Sequence, residues 1–175
     1  MSKKNIVLAG FMGTGKTSVG RILAQRLGRE FVDTDEEIEL ITGKTITDLF
    51  NSYGPIRFRS EEALAIKRLS GSEGLIIATG GGAVLDPGNV ANLKKNGVLV
   101  LISSPPEVIY SRVKANRNRP LLAGAEDLLQ RVKELLAERE KAYREAADLE
   151  VCSIWESKEE VAGRIMELLK EGKYI

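Results

Sequence analysis

Short apolar runs alternate with longer stretches of helical periodicity from one end of the chain to the other. Asn5–Ala9, Glu30–Asp33, Leu75–Ala78, Val98–Ile102 and Glu150–Ser153 read as five strands. Between them apolar residues recur at three- and four-residue spacing, which predicts helices; Ser18–Leu27, closed by Gly28, is one. Strands that alternate with helices imply a parallel sheet, because each parallel crossover lays a helix on a face of the sheet. The expected fold is α/β, three layers with a five-stranded parallel sheet between helices. Ser104-Pro105-Pro106-Glu107 and Ser157-Lys158-Glu159-Glu160 look like capped helix starts. The segment Ala115–Gly124, polar and then apolar with two arginines, interrupts the regularity and reads as a mobile flap.

At 175 residues and 43% hydrophobic, the chain suits one well-buried core and a single domain. A net charge of +1 and 5% aromatic residues argue against binding nucleic acid through bulk electrostatics. No apolar stretch nears the roughly 18 residues of a membrane-spanning helix, and no signal-peptide pattern precedes Ile6, so a cytoplasmic protein is expected. Cys152 is the one cysteine and cannot form an internal disulfide; its apolar flanks predict a buried strand position. There is no histidine, so acid–base chemistry must use carboxylates, lysine or water.

Directly after the first strand stands Gly10-Phe11-Met12-Gly13-Thr14-Gly15-Lys16-Thr17, which satisfies G-x-x-x-x-G-K-[ST]. In such a loop the backbone N–H groups converge on an anion, the lysine reaches the outer phosphates and the hydroxyl holds Mg²⁺. The strand before it and the helix after it supply the right context, with the helix N-terminus facing the phosphates. A nucleoside triphosphate cradle is the reading.

Asp33-Thr34-Asp35 ends the second strand at the carboxyl edge of the sheet, where ligands bind in open α/β folds. Alternation along an extended chain would send both carboxylates to one side. Asp33 then suits Mg²⁺ through a water, and Asp35 a substrate hydroxyl; the alternative for Asp35 is capping the helix at Glu36-Glu37-Ile38. In a helix starting near Pro55, Glu62 interrupts the stripe Phe58, Ala65, Leu69, with Arg59 one turn back as a partner. In the helix from Asp127, Arg139 interrupts an apolar stripe and has no acid three or four residues away. A buried unmatched charge costs several kcal/mol, so Arg139 calls for a carboxylate or phosphate from a ligand, unless it snorkels to solvent. Thr79-Gly80-Gly81-Gly82-Ala83 leaves the third strand at the same sheet edge and would let a ligand approach the backbone closely, or serve as a plain turn.

In their order and spacing these residues resemble the shikimate kinases, P-loop kinases of the nucleoside-monophosphate-kinase type. The likeness spans the phosphate loop, Asp33-Thr34-Asp35, Gly43 to Phe50, Phe58-Arg59 with Glu62, Gly80 to Val84, Arg119-Pro120-Leu121-Leu122, and Arg139 followed by Tyr143. It implies transfer of the γ-phosphoryl of ATP to the 3-hydroxyl of shikimate, with Mg²⁺. Under that resemblance Gly13, Thr14, Gly15, Lys16, Thr17 and Ser18 hold the nucleotide, with Lys16 on its β- and γ-phosphates. Thr17 and Asp33 bind the metal, and Asp35 takes the substrate hydroxyls as the base. Arg59 and Arg139 clamp the carboxylate beside Gly81 and Gly82, Glu62 orients Arg59, Arg112 lies near adenine, and Arg119 swings in with a flap at about 113–125. The substrate-binding helical region would span about 34–62. A monomer that binds neither nucleic acid nor membrane is expected. Where the family often has Gly-Glu before Phe-Arg, this chain has Gly54-Pro55 and then Arg57 before Phe58, which leaves the local loop shape open. Another small-acid kinase, such as a gluconate kinase, and a non-catalytic ATP-binding switch are the alternative readings.

Overall fold

A computed structural model describes residues 3–114 and 127–175. The chain runs β1 (Asn5–Ala9), α1 (Lys16–Leu27), β2 (Phe31–Asp33), α2 (Thr34–Thr42), α3 (Ile46–Leu69), β3 (Ile76–Ala78), a 3-10 turn at Ala83–Leu85, and α4 (Pro87–Lys95). It continues through β4 (Gly97–Ser103), α5 (Pro106–Val113), α6 (Leu128–Ala146), β5 (Leu149–Cys152) and α7 (Lys158–Glu171). The five strands form one parallel sheet in the order β2-β3-β1-β4-β5, as the alternating pattern predicts. β1 is central, with Ile6 level with Ile76 on one side and Val98 on the other. The phosphate loop therefore leaves the middle of the sheet.

Period-two alternation in β1 and β4 divides the core between two faces. Ile6, Leu8, Val98 and Val100 pack against α1 and α7, through Val19, Leu23, Val161 and Ile165. Val7, Ala9, Leu99 and Leu101 meet the opposite layer, through Ile66, Leu93, Ile109 and Val132. Every one of these side chains is at least 97% buried. A small separate core of Ile38, Leu49, Phe58 and Ala65 joins α2 to α3, so this helical pair has its own apolar support beside the sheet.

Local details depart from the sequence reading in several places. α3 begins at Ile46, ahead of Pro55, and is kinked where Gly54 takes a left-handed φ of 76°. Pro55 follows that break, where its missing N–H and fixed φ fit the start of a new helical stretch. The cap before α5 is Pro105 without a side-chain hydrogen bond, so Ser104 does not cap it; Ser104 instead accepts from Arg112. The second expected cap forms in full, with Ser157 and Glu160 bonded reciprocally at the start of α7. Cys152 is exposed, contrary to expectation, because the alternation in edge strand β5 turns Val151 and Ser153 inward and Cys152 outward. Of the expected flap, Val113 and Lys114 end α5, and the remainder, Arg119 included, lies outside the described residues.

Candidate active site

Around the phosphate loop the chain satisfies its own polar groups. Gly15, at a φ of 99° that side chains rarely tolerate, turns the loop into α1, whose first residue is Lys16. Lys16 Nζ donates to the carbonyls of Gly10 and Phe11 at 2.7 and 2.9 Å. Thr14 Oγ1 donates to Phe11 O. Thr17 Oγ1 donates to Asp33 Oδ2 at 2.7 Å, so the two residues expected at a metal are already in contact. Gly13, Thr14, Gly15, Lys16, Thr17 and Ser18 all line one cavity of about 780 Å³. Arg112 borders the same cavity, donating to Gly13 O, to Ser153 Oγ and, at 2.8 Å, to Ile154 O. It ties the phosphate loop to the turn 153–157, which carries the single tryptophan, Trp155, 73% exposed. Glu156 steadies this turn by accepting from Ile154 N and from the Arg164 guanidinium, and its carboxyl is held below the usual range chiefly by backbone N–H donors, that of Ile154 first.

Asp33 and Asp35 meet the site by different routes from the one their spacing suggests. Extended backbone ends at Asp33, whose Oδ1 accepts from Asp35 N, so Asp33 is the cap of α2 and Asp35 lies in its first turn. The cap that the sequence left open for Asp35 thus belongs to its neighbour. Both carboxylates still face the same crevice. Burial, then repulsion from Asp33 and Glu62, pushes the Asp35 carboxyl up to about 6.

A second cavity, about 820 Å³, holds the arginines. Arg59 Nη1 pairs with Glu62 Oε2 at 2.6 Å, and Glu62 is fully buried. Arg139, 7% exposed, reaches in from α6 over the Phe11 ring, 5.7 Å from its centroid. Among the described residues no carboxylate forms an ion pair with it. Its hydrogen bond to Gly81 O is long, 3.4 Å from Nη1, and the Tyr143 hydroxyl is its other hydrogen-bond neighbour. Snorkelling is thereby ruled out for Arg139, whose buried guanidinium faces the cavity.

The glycine turn is what lets these groups assemble. A Cβ on Gly82 would stand 2.3 Å from Arg59 Nη2, and one on Gly80 would stand 2.8 Å from Glu62 Oε1 and 3.1 Å from Asp35 Oδ1. Those two carboxylate oxygens are buried and accept no hydrogen bond among the described residues. The turn is held by Thr34 Oγ1, which accepts from Gly80 N at 3.0 Å, and by Tyr143 Oη, which donates to Gly81 O. Sequence reasoning missed Thr34, because a threonine between two aspartates carries no signal of its contact with a loop 46 residues away.

Met12, Thr17, Asp33, Asp35, Gly80 and Gly81 line both cavities, so the phosphate cradle and the arginine pocket share one wall. A family model described as shikimate kinase matches residues 12–170. The chain belongs to the shikimate kinase family. A shikimate kinase of Pelotomaculum thermopropionicum is 55% identical over 172 residues, covering 98% of this chain and 99% of that one. One of Desulforudis audaxviator is 49% identical, over 98% of this chain and 89% of that protein. The solved shikimate kinase from Acinetobacter baumannii in complex with shikimate superposes with a TM-score of 0.93 at 39% identity, covering 97% and 94% of the two chains. As in other shikimate kinases the fold is that of a P-loop NTPase, and the protein is an ATP-dependent kinase.

Proposed function

We propose that this chain transfers the γ-phosphoryl group of ATP to the 3-hydroxyl of shikimate, releasing ADP and shikimate 3-phosphate. The observation that carries the reading is the convergence of Arg59 and Arg139 on a cavity that shares Thr17, Asp33 and Asp35 with the phosphate cradle. An organic acid held by its carboxylate between the two guanidinium groups then has its alcohol beside the triphosphate. Arginine suits this clamp because its planar fork matches a carboxylate, where a lysine would offer only a point charge.

Gly13 to Ser18 cradle the phosphates, and Lys16 exchanges backbone carbonyls for β- and γ-phosphate oxygens. Arg112 borders the nucleobase end, and Arg119 acts from the flap. Thr17 and Asp33 offer two hard oxygen ligands beside the phosphates, which suits Mg²⁺, an ion that binds through one or two protein oxygens plus phosphate and water. When bound, the ion supplies charge neutralisation to the transferring group. The acceptor oxygen attacks γ-phosphorus, the bond to the β,γ-bridging oxygen breaks, and Asp35 takes the hydroxyl proton. A carboxyl lifted to about 6 is ionised at neutral pH and more basic than an ordinary aspartate. Positioning and cationic stabilisation carry the rest of the rate, so the lack of histidine is no obstacle.

The reading keeps a single kinase domain acting as a monomer, with a core, a flap at about 113–125 and a substrate region at 34–62. Use of ATP supports a cytoplasmic location. No helix among the described residues is long and apolar enough to cross a membrane. A coupled ADP-release assay with shikimate and gluconate tests the reading. Turnover of shikimate alone is expected; turnover of gluconate alone, or ATP binding without turnover of either acid, would overturn it.

A further inference from the structure

Tyr143 lies four residues after Arg139 on α6, so the two side chains leave the same face of the helix. Both reach one acceptor. Tyr143 Oη donates to Gly81 O at 2.5 Å, whereas Arg139 Nη1 stays 3.4 Å from the same oxygen. The phenol is 3% exposed, and burial pushes its pKa up, so the hydroxyl remains a donor across the working range of pH. A carbonyl oxygen has room for two donors, and here the phenol holds the closer place while the guanidinium stays at the limit of hydrogen-bond distance.

We infer that Tyr143 is a positioning residue for the acid clamp: by occupying Gly81 O it keeps the Arg139 guanidinium from being captured by the protein's own backbone. Resting on the functional reading above, this explains how a buried arginine stays available to a ligand carboxylate. A charge-assisted bond to a carbonyl is stronger than a neutral one. Without the phenol hydroxyl, Arg139 is the remaining side-chain donor within reach of Gly81 O among the described residues. Its fork would close on the turn and turn from the pocket. The cost falls on binding of the acid, because Arg112 and the phosphate loop lie on the other side of the shared wall.

Tyr143→Phe removes one oxygen and keeps the ring in its packing. It should raise the KM for shikimate about tenfold, the effect of losing one well-placed buried hydrogen bond. The KM for ATP and kcat at saturating shikimate should stay within about twofold. In an Arg139→Leu background the same exchange should raise the shikimate KM by less than about threefold, because no donor is left to be captured. An unchanged shikimate KM, equal rises in both KM values with a lowered Tm, or the full tenfold effect in the Arg139→Leu background would each overturn the inference. Wild-type protein measured alongside separates the two readings. Shikimate turnover by wild type with an unaltered Tyr143→Phe variant defeats the role of Tyr143 alone, whereas no wild-type turnover defeats the functional reading and this inference with it.

Discussion

The phosphate cleft and the arginine pocket share a wall, yet they handle polar groups in opposite ways. In the cleft, Thr14, Lys16, Thr17 and Arg112 each have protein partners, so its shape is fixed by bonds internal to the chain. In the pocket, Asp35 Oδ1 and Glu62 Oε1 accept nothing among the described residues, and Arg139 has a long bond to Gly81 O, the Tyr143 hydroxyl and the Phe11 ring but no carboxylate partner among them. Unsatisfied buried charge is destabilising, and here it is concentrated where the acid and its hydroxyls are proposed to bind. The difference separates a generic task from a specific one. Phosphate groups are met by a loop whose geometry is common to many nucleotide enzymes, while discrimination among acids depends on groups that keep bonding capacity to spare for the right ligand.

The sharpest way to break this comparison is Asp35→Asn. Loss of the proposed base should lower kcat by about 10² to 10⁴ with the fold intact, read by steady-state kinetics and circular dichroism. Near-normal turnover would reduce Asp35 to a structural member of α2. Arg139→Leu should weaken shikimate binding by roughly 2 to 5 kcal/mol and leave ATP affinity unchanged, measured by calorimetry. Equal losses for both ligands would erase the division between the cavities. Gly82→Ala should displace the Arg59 fork and raise the shikimate KM by as much as about 10²-fold, and it should lower Tm as well, because buried Glu62 loses its ion-pair partner.

Two smaller effects concern stability. Asp35 holds its proton more tightly in the folded chain than in the unfolded one, so folding binds protons. Its contribution is fully present below the ordinary aspartate value, and stability is lost as pH rises through about 6. Asp35→Asn should therefore melt higher than wild type at pH 7.5, and the gap should close toward pH 4 in thermal scans without ligand. Least of all, Ser157→Ala should remove the cap of α7 at a cost of about 1 kcal/mol in denaturant unfolding.

Much of this was legible in the chain because the signals are local. Hydrophobic periodicity placed all five strands within a residue or so, and the phosphate loop announced itself by glycine spacing. Arg139 and Glu62 stood out as charges on apolar stripes, and both are buried. What escaped depends on where elements end and on contacts between distant segments. β2 ends at Asp33 as expected, but the chain does not stay extended to Asp35, because the first carboxylate bonds the backbone N–H of the second and starts a helix. Cys152 was misplaced because its apolar neighbours hid the fact that an edge strand exposes alternate residues. Tyr143 entered only through the family resemblance, since a tyrosine on an apolar stripe gives no hint that its hydroxyl grips a glycine turn 62 residues earlier.

Trp155 gives the protein a built-in optical probe. Its indole is largely in solvent, on the turn that Arg112 anchors at the rim of the nucleotide cleft. With no second tryptophan to add background, its emission should change as adenine nucleotide arrives and stay nearly constant when acid alone is added. Occupancy of one compartment can thus be followed without labelling, while the other is varied freely.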